Sequence, residues 1–277
     1  MVETLNSRTF YLGIGAQKSG TSWLSNYFKS HPEILMSPIK EMAFFGNRER
    51  PNLNRFKEQL AFEDVLTAFT GRHNKKRRKH LNSRLDVQGD IENYKQFFQH
   101  LLKNEKAYGE ITPGYAFLHK TEFHQILDHF PAVRIIFLMR NPVDRAWSQM
   151  RFSNTKNTPD KLRQNAVERL SKSAYTLRSD YKSTIETITS VFPRDQIHFE
   201  FFEHLFSQKA VDGICDFLGV SHKKARLGRK LNTALKAPLP QDLRLEMIEM
   251  LIPQYLFADS FFKGDIPESW LADLYSV

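Results

Sequence analysis

One stretch of this chain has the composition of an anion cradle. Phe10-Tyr11-Leu12-Gly13-Ile14 is an apolar run of the length of one short buried strand, and after Gly15 it breaks into Ala16-Gln17-Lys18-Ser19-Gly20-Thr21-Ser22. Trp23, Leu24, Tyr27 and Phe28 then recur at helical spacing. A strand, a small polar loop and a helix start leave several N–H groups without carbonyl partners, at the end of the helix where the dipole is positive. Gly20 lets the main chain approach a ligand oxygen. Thr21 and Ser22 add hydroxyls, and Lys18 adds a full charge. The same residues would also suit an ordinary N-capped helix after an edge strand, but a lysine inside the Gly/Ser/Thr turn favours the anion site.

The order of residues separates this loop from the nucleotide-triphosphate P-loop. That motif places its lysine directly after the second glycine, with a Mg²⁺-binding hydroxyl next. Here the order is Gly15-x-x-Lys18-Ser19-Gly20-Thr21, with the lysine ahead of the glycine. A kinase or NTPase would also need an aspartate after an apolar strand to hold Mg²⁺.

Composition narrows the partners. The chain has 277 residues with 41% hydrophobic content, which suits one α/β domain over 1–277 with one good-sized core. Forty Lys and Arg against 31 Asp and Glu give a net charge of +9, which favours a phosphorylated cofactor, an acidic substrate or nucleic acid. The single cysteine, Cys215, allows no internal disulfide and suits a reducing compartment. The ten histidines lack ligand spacing, so no metal site is expected. No window approaches a membrane span and no basic, apolar leader opens the chain, so a soluble cytoplasmic protein is expected.

Further along, Glu33-Ile34-Leu35-Met36 reads as a short strand, then Ser37-Pro38 as a turn before Lys40-Glu41-Met42-Ala43-Phe44-Phe45. Residues 47–90 read as a variable insert with helical packing residues. Its basic run, 71–80, reads as a solvated loop or as an arm for an anionic acceptor. The run has no interleaved aromatics for base stacking, so nucleic acid is not expected. Residues 91–103 and 119–130 have helical patterns. Val133 to Met139 is the most apolar strand candidate, fit for the middle of a parallel sheet, and runs into Arg140-Asn141-Pro142 and a new helix. An arginine leaving a strand C-terminus stands where open α/β sheets bind ligands, and its forked donors suit phosphate. The competing reading is a helix-start ion pair between Arg140 and Asp144. Residues 160–191 read as helical, 197–201 as a strand, and 240–257 and 267–275 as covering helices.

The loop order resembles the 5′-phosphosulfate loop of sulfotransferases that use 3′-phosphoadenosine 5′-phosphosulfate (PAPS), in the carbohydrate (heparan-type) and bacterial branch. Lys40-Glu41-x-x-Phe44-Phe45, Tyr108-Gly109-Glu110-Ile111-Thr112-Pro113, Arg140-x-Pro142 with Ser148 eight residues after Arg140, and Phe192-Pro193-Arg194-x-Gln196 are similar to segments of that family. The resemblance implies an α/β fold with a P-loop-like, mainly parallel sheet flanked by helices. It implies that Lys18, Ser19, Gly20, Thr21 and Ser22 hold the 5′-phosphosulfate, and that Arg140 and Ser148 hold the 3′-phosphate. A basic loop, for which Arg229 and Lys230 are the candidates, would close the phosphate site. Glu41 would be the base that takes the acceptor's proton, a role the chemistry needs because an alcohol is a poor nucleophile until that proton leaves. Glu110 is a second carboxylate that could stand at the acceptor or form a structural pair. Ile111 departs from the family, which has a lysine there to help neutralise the sulfate in transfer.

The expected activity is metal-independent transfer of a sulfuryl group from PAPS to an acceptor hydroxyl, a carbohydrate first and a lipid or small-molecule alcohol next, with 3′-phosphoadenosine 5′-phosphate (PAP) as product. A nucleotide-dependent kinase, marked by a Mg²⁺ requirement, is one alternative. A non-catalytic anionic-polymer binder, marked by binding that survives loss of Lys18 and Arg140, is the other.

Overall fold

A computed structural model describes residues 5–46, 53–70, 74–153, 158–228 and 237–277. Five strands, β1 (Thr9–Gly15), β2 (Ile34–Met36), β3 (Ala107–Ile111), β4 (Arg134–Met139) and β5 (Ile197–Phe201), form one sheet in the order β2-β3-β1-β4-β5. Every pairing is parallel, with Leu12 opposite Glu110 on one side and Ile135 on the other. Strands buried on both faces explain why β1 and β4 read as unbroken apolar runs.

Side-chain alternation divides the core into two layers. Tyr11, Ile136 and Leu138 face α1 (Thr21–Ser30) together with Trp23, Leu24, Phe28 and the Val211–Leu218 side of a later helix. Phe10, Leu12, Ile14, Ile135, Phe137 and Met139 face the opposite, larger layer. That layer takes in α2 (Asn54–Thr70), α3 (Lys75–Val87), α4 (Ile91–Gln99), α5 (Lys120–His129) and α6 (Pro142–Ser153). The helical stretch read across 160–191 is four helices, α7 (Pro159–Gln164), α8 (Ala166–Leu170), α9 (Ser173–Ser179) and α10 (Tyr181–Thr189). Asn165 and Asp180 stand at the breaks, and the Asp180 side chain caps α10 by accepting from Ser183 N. After β5 come α11 (Phe202–Leu205), α12 (Gln208–Leu218), α13 (Gln241–Phe261) and α14 (Glu268–Leu274).

The 47–90 segment differs from its sequence reading. From Lys75 the basic run is not a solvated loop but the opening of α3, capped by Asn74, whose side chain accepts from Arg77 N. Packing against α2 supplies the reason: Arg77 meets the buried Glu63 at 3.0 Å, and Arg78 pairs with Asp64. Residues 71–73 of the run lie outside the described residues. Among the described residues no helix is long and apolar enough to cross a membrane.

Candidate anion and acceptor site

β1 ends in the middle of the sheet, and the chain must turn sharply to start α1. Gly20 sits at the N-cap with φ +90°, and a Cβ there would come within 2.6 Å of Leu205 Cδ2. Only glycine meets both demands. No side chain caps α1. The loop is tied internally by Ser19 N to Ala16 O, while Gly20 O receives Trp23 N and Leu24 N. The amides of Gly20, Thr21 and Ser22 find no backbone acceptor among the described residues. These N–H groups are therefore available to an anion at the positive end of the helix. Ser19 is fully buried beside the Tyr181 hydroxyl, whereas Thr21 and Ser22 are partly exposed.

Lys18 and Arg140 meet across this loop. Arg140 leaves β4, the strand next to β1, and its Nη1 donates to Lys18 O at 3.3 Å. Its guanidinium lies 4.3 Å from the centre of the Phe202 ring. Its Nε is buried without a hydrogen-bond partner among the described residues. Burial lowers the Arg140 pKa, against the pull of Asp144, Glu203 and Tyr181. The helix-start pair with Asp144 does not form: Asp144 instead receives Arg244 Nη1 at 2.9 Å. Lys18 has φ +73°, and its ammonium rests 4.2 Å from the Phe152 ring centre. Burial lowers its pKa first, then repulsion from Arg140, Arg151 and Lys40. Lys18 and Arg140 meet across the loop without an ion pair to an acid among the described residues, although Asp144 and Glu203 act on Arg140 from further off, and such a site can take an anion.

The β4–α6 junction that carries Arg140 is firmly held. The Tyr181 hydroxyl donates to Arg140 O at 2.6 Å. Asn141 donates its amide N–H to Glu203 and its side-chain amide to Asp273 Oδ2 at 2.6 Å. Arg244 forks onto the same Asp273 carboxylate. The two C-terminal helices are thus more than a cover, since they fix the turn that carries Arg140. Ser148 lies buried on α6, two turns into the helix that Pro142 starts. Arg229 and Lys230 lie outside the described residues.

The two carboxylates occupy different environments. Glu110 on β3 is fully buried and engaged on both oxygens: Tyr94 (2.9 Å) and Tyr115 (2.7 Å) donate to Oε1, and Thr112 (2.6 Å) and Met42 N (3.0 Å) to Oε2. Burial raises its pKa, opposed by these hydrogen bonds and by Arg84. Glu41 is partly exposed, between Lys40 at 3.9 Å and Arg55 at 3.4 Å. Its segment forms no strand, because Glu41 and Ala43 take φ of +52° and +49°. Its neighbours fix it: Met42 N donates to Glu110, Arg84 Nε and Nη2 donate to Met42 O, Ala43 N donates to Thr112, and Phe44 N donates to Tyr115. Lys40 acts electrostatically on Lys18, so this segment lies toward the loop. Ile111 packs on the α1 side of the sheet, where a Cβ on Gly13 would come within 2.6 Å of it, and brings no charge to the site.

Sequence reasoning missed Arg84, which the structure buries under Met42, and Arg151, which follows Ser148 on α6. Arg84 sat inside a segment rich in charge and gave no signal. The step of three residues from Ser148 to Arg151 was a signal that could have been read.

The fold and the loop together give an α/β protein with a P-loop-like strand–loop–helix at the centre of a parallel sheet. Residues 12–224 match the profile of a sulfotransferase family, and the chain belongs to that family. Among solved structures it is similar to a sulfotransferase from Alicyclobacillus acidocaldarius, at 22% identity, a TM-score of 0.63, and coverage of 95% of this chain and 99% of that one. It is also similar to the sulfotransferase domain of the curacin biosynthetic pathway, at 16% identity, a TM-score of 0.56, and coverage of 96% and 100%. The sulfotransferase domain of the Synechococcus PCC 7002 olefin synthase gives 18% identity, a TM-score of 0.50, and coverage of 96% and 97%. At these identities the likeness is one of fold. No curated protein sequence matches.

Proposed function

We propose that this sulfotransferase moves a sulfuryl group from PAPS to an acceptor hydroxyl, with a carbohydrate as the acceptor class. The observation that carries the reading is the contact of Arg140 with Lys18 over a loop whose Gly20, Thr21 and Ser22 amides find no backbone acceptor among the described residues and whose Gly20 takes a positive φ. The orphaned Arg140 Nε and the cation-rich surroundings of Lys18 fit a phosphorylated donor. PAPS supplies an activated sulfuryl group on an acidic phosphate leaving group, and the transfer calls on no metal.

The chain's residues would position and neutralise. The Gly20, Thr21 and Ser22 amides and Lys18 hold the 5′-phosphosulfate, the Ser19 amide being taken by Ala16 O, with Lys18 offsetting charge on the bridging oxygen as its S–O bond breaks. Arg140 and Ser148 hold the 3′-phosphate, which aligns the donor for in-line displacement. Glu41 takes the acceptor hydroxyl's proton as the new S–O bond forms. Glu110 shapes the segment carrying Glu41, and its four donors leave it no lone pair facing an acceptor. The free thiol of Cys215 is buried, which suits the cytoplasmic setting that is part of this proposal.

The test has two arms. Calorimetric titration should give tight PAP binding, weak ATP binding and no effect of Mg²⁺; tighter, Mg²⁺-dependent ATP binding would replace this reading with a kinase. Labelled PAPS, offered with glycans, lipids and small alcohols, should give a sulfated glycan. Label on a lipid or small alcohol alone would move the acceptor class.

A further inference from the structure

Among the described residues the roles above leave two cations that act on Lys18 unused, Lys40 and Arg151, and Lys40 is drawn off beside Glu41. Arg151 lies on α6 three residues beyond Ser148, so it extends the same helix face by one turn. Its neighbour Phe152 lies against the Lys18 ammonium, which brings this end of α6 over the loop. Arg151 Nε is buried with no hydrogen-bond partner among the described residues. Arg151 repels both Lys18 and Arg140; among the described residues the charged groups acting on Lys18 are cations, while Asp144 and Glu203 pull on Arg140. Like charges gathered at a half-buried site cost free energy, which an anion with several oxygens would offset.

The donor has three anionic centres along its length. Arg140 and Ser148 serve the 3′-phosphate, and the loop amides serve the 5′-phosphate. The sulfonate is left with Lys18, and with Lys40 only so far as its pairing with Glu41 allows. Ile111, on β3, offers it nothing, since its side chain packs against Gly13. A forked guanidinium can take two of the three terminal oxygens of a sulfuryl group at once, which a point charge cannot.

We propose that Arg151 is the sulfonate-binding residue of this site, donating to the outer oxygens of the phosphosulfate from above the loop while Lys18 serves the bridging oxygen. The assignment rests on the sulfotransfer reading and adds to it the group that recognises charged from discharged donor. It gives the enzyme a means of preferring PAPS over PAP, which differ only by the sulfuryl group.

The experiment is calorimetric titration of wild type, Arg151→Gln and Arg151→Lys with PAPS and with PAP, without acceptor. Arg151→Gln should lose at least about 10-fold more affinity for PAPS than for PAP, as expected for one charged hydrogen-bonding partner. Arg151→Lys should recover part of the difference. Retained PAP binding shows that the variant is folded. Equal losses for both nucleotides, or no loss, would overturn the assignment while leaving sulfotransfer intact. A wild-type protein that binds neither nucleotide would overturn the sulfotransfer reading itself.

Discussion

Two charged regions lie near each other in this molecule and are finished to different degrees. The Glu110 carboxylate has four donors on two oxygens, all within 3.0 Å, in a wholly buried setting. Among the described residues the Lys18–Arg140 pair makes one hydrogen bond to a backbone carbonyl and two ring contacts, feels Asp144 and Glu203 only at a distance, and has a buried guanidinium nitrogen left over. A buried charge that is fully hydrogen-bonded holds shape, and breaking its bonds is costly. A site with surplus charge of one sign is complete only with its ligand. The first region is therefore read as scaffold and the second as function, although both contain charged residues in family-like motifs.

The segment between the two regions sharpens this contrast most. Glu41→Gln should lower single-turnover sulfuryl transfer from preloaded donor by about 10²–10⁴-fold, the usual worth of a general base. PAP affinity should hold. Glu110→Gln should be slowed far less; a near-normal Glu41→Gln beside an inactive Glu110→Gln would reverse the assignment of scaffold and base.

Within the cation-rich region, Lys18→Ala and Arg140→Ala should part ways. Lys18→Ala should lower turnover by about 10²–10³-fold, as loss of a group that stabilises developing charge does. Arg140→Ala should weaken PAP by about 2–4 kcal/mol, since it removes a charged partner from a bound phosphate. Equal affinity losses with normal turnover at saturation would show that the two do not divide the work.

The scaffold region should respond in stability instead. Glu110→Ala leaves the Tyr94, Tyr115 and Thr112 hydroxyls and Met42 N–H without their acceptor, and should cost about 2–4 kcal/mol in urea unfolding. Arg84→Met should give a smaller loss of stability and a drop in turnover, because it frees Met42 O beside Glu41. Normal turnover in Arg84→Met would show that Glu41 does not depend on that anchor.

The smallest effect is a pH dependence. Burial and surrounding cations lower the Lys18 pKa from its ordinary 10.5. A bound anion raises it again. As pH rises through the lowered value toward 10.5 the free protein sheds a proton that the complex keeps, so PAP affinity should fall and binding should take up protons. In the free protein the same group adds stability as pH rises through that window, because the unfolded chain then holds more protons. Calorimetry in buffers of different ionisation enthalpy reads the uptake. Lys18→Ala should abolish it.

The strand–loop–helix at Phe10–Phe28, the central strand before Arg140 and the parallel α/β class were legible in the residues alone. Each rests on local facts: an unbroken apolar run, a glycine where no side chain fits, a proline that starts a helix. The sequence also marked both carboxylates, but could not separate them, because their difference lies in burial and in donors from α4, the β3–α5 connection and the Met42 segment. Nor did it show that the charged 75–87 stretch would be a helix whose Arg84 anchors Met42 from 42 positions away. Asp144, four residues after Arg140, was taken by Arg244 from 100 positions away rather than by its near neighbour. Partner choice among charges is decided by which side chains the packed elements bring together, and only the tertiary structure sets those distances.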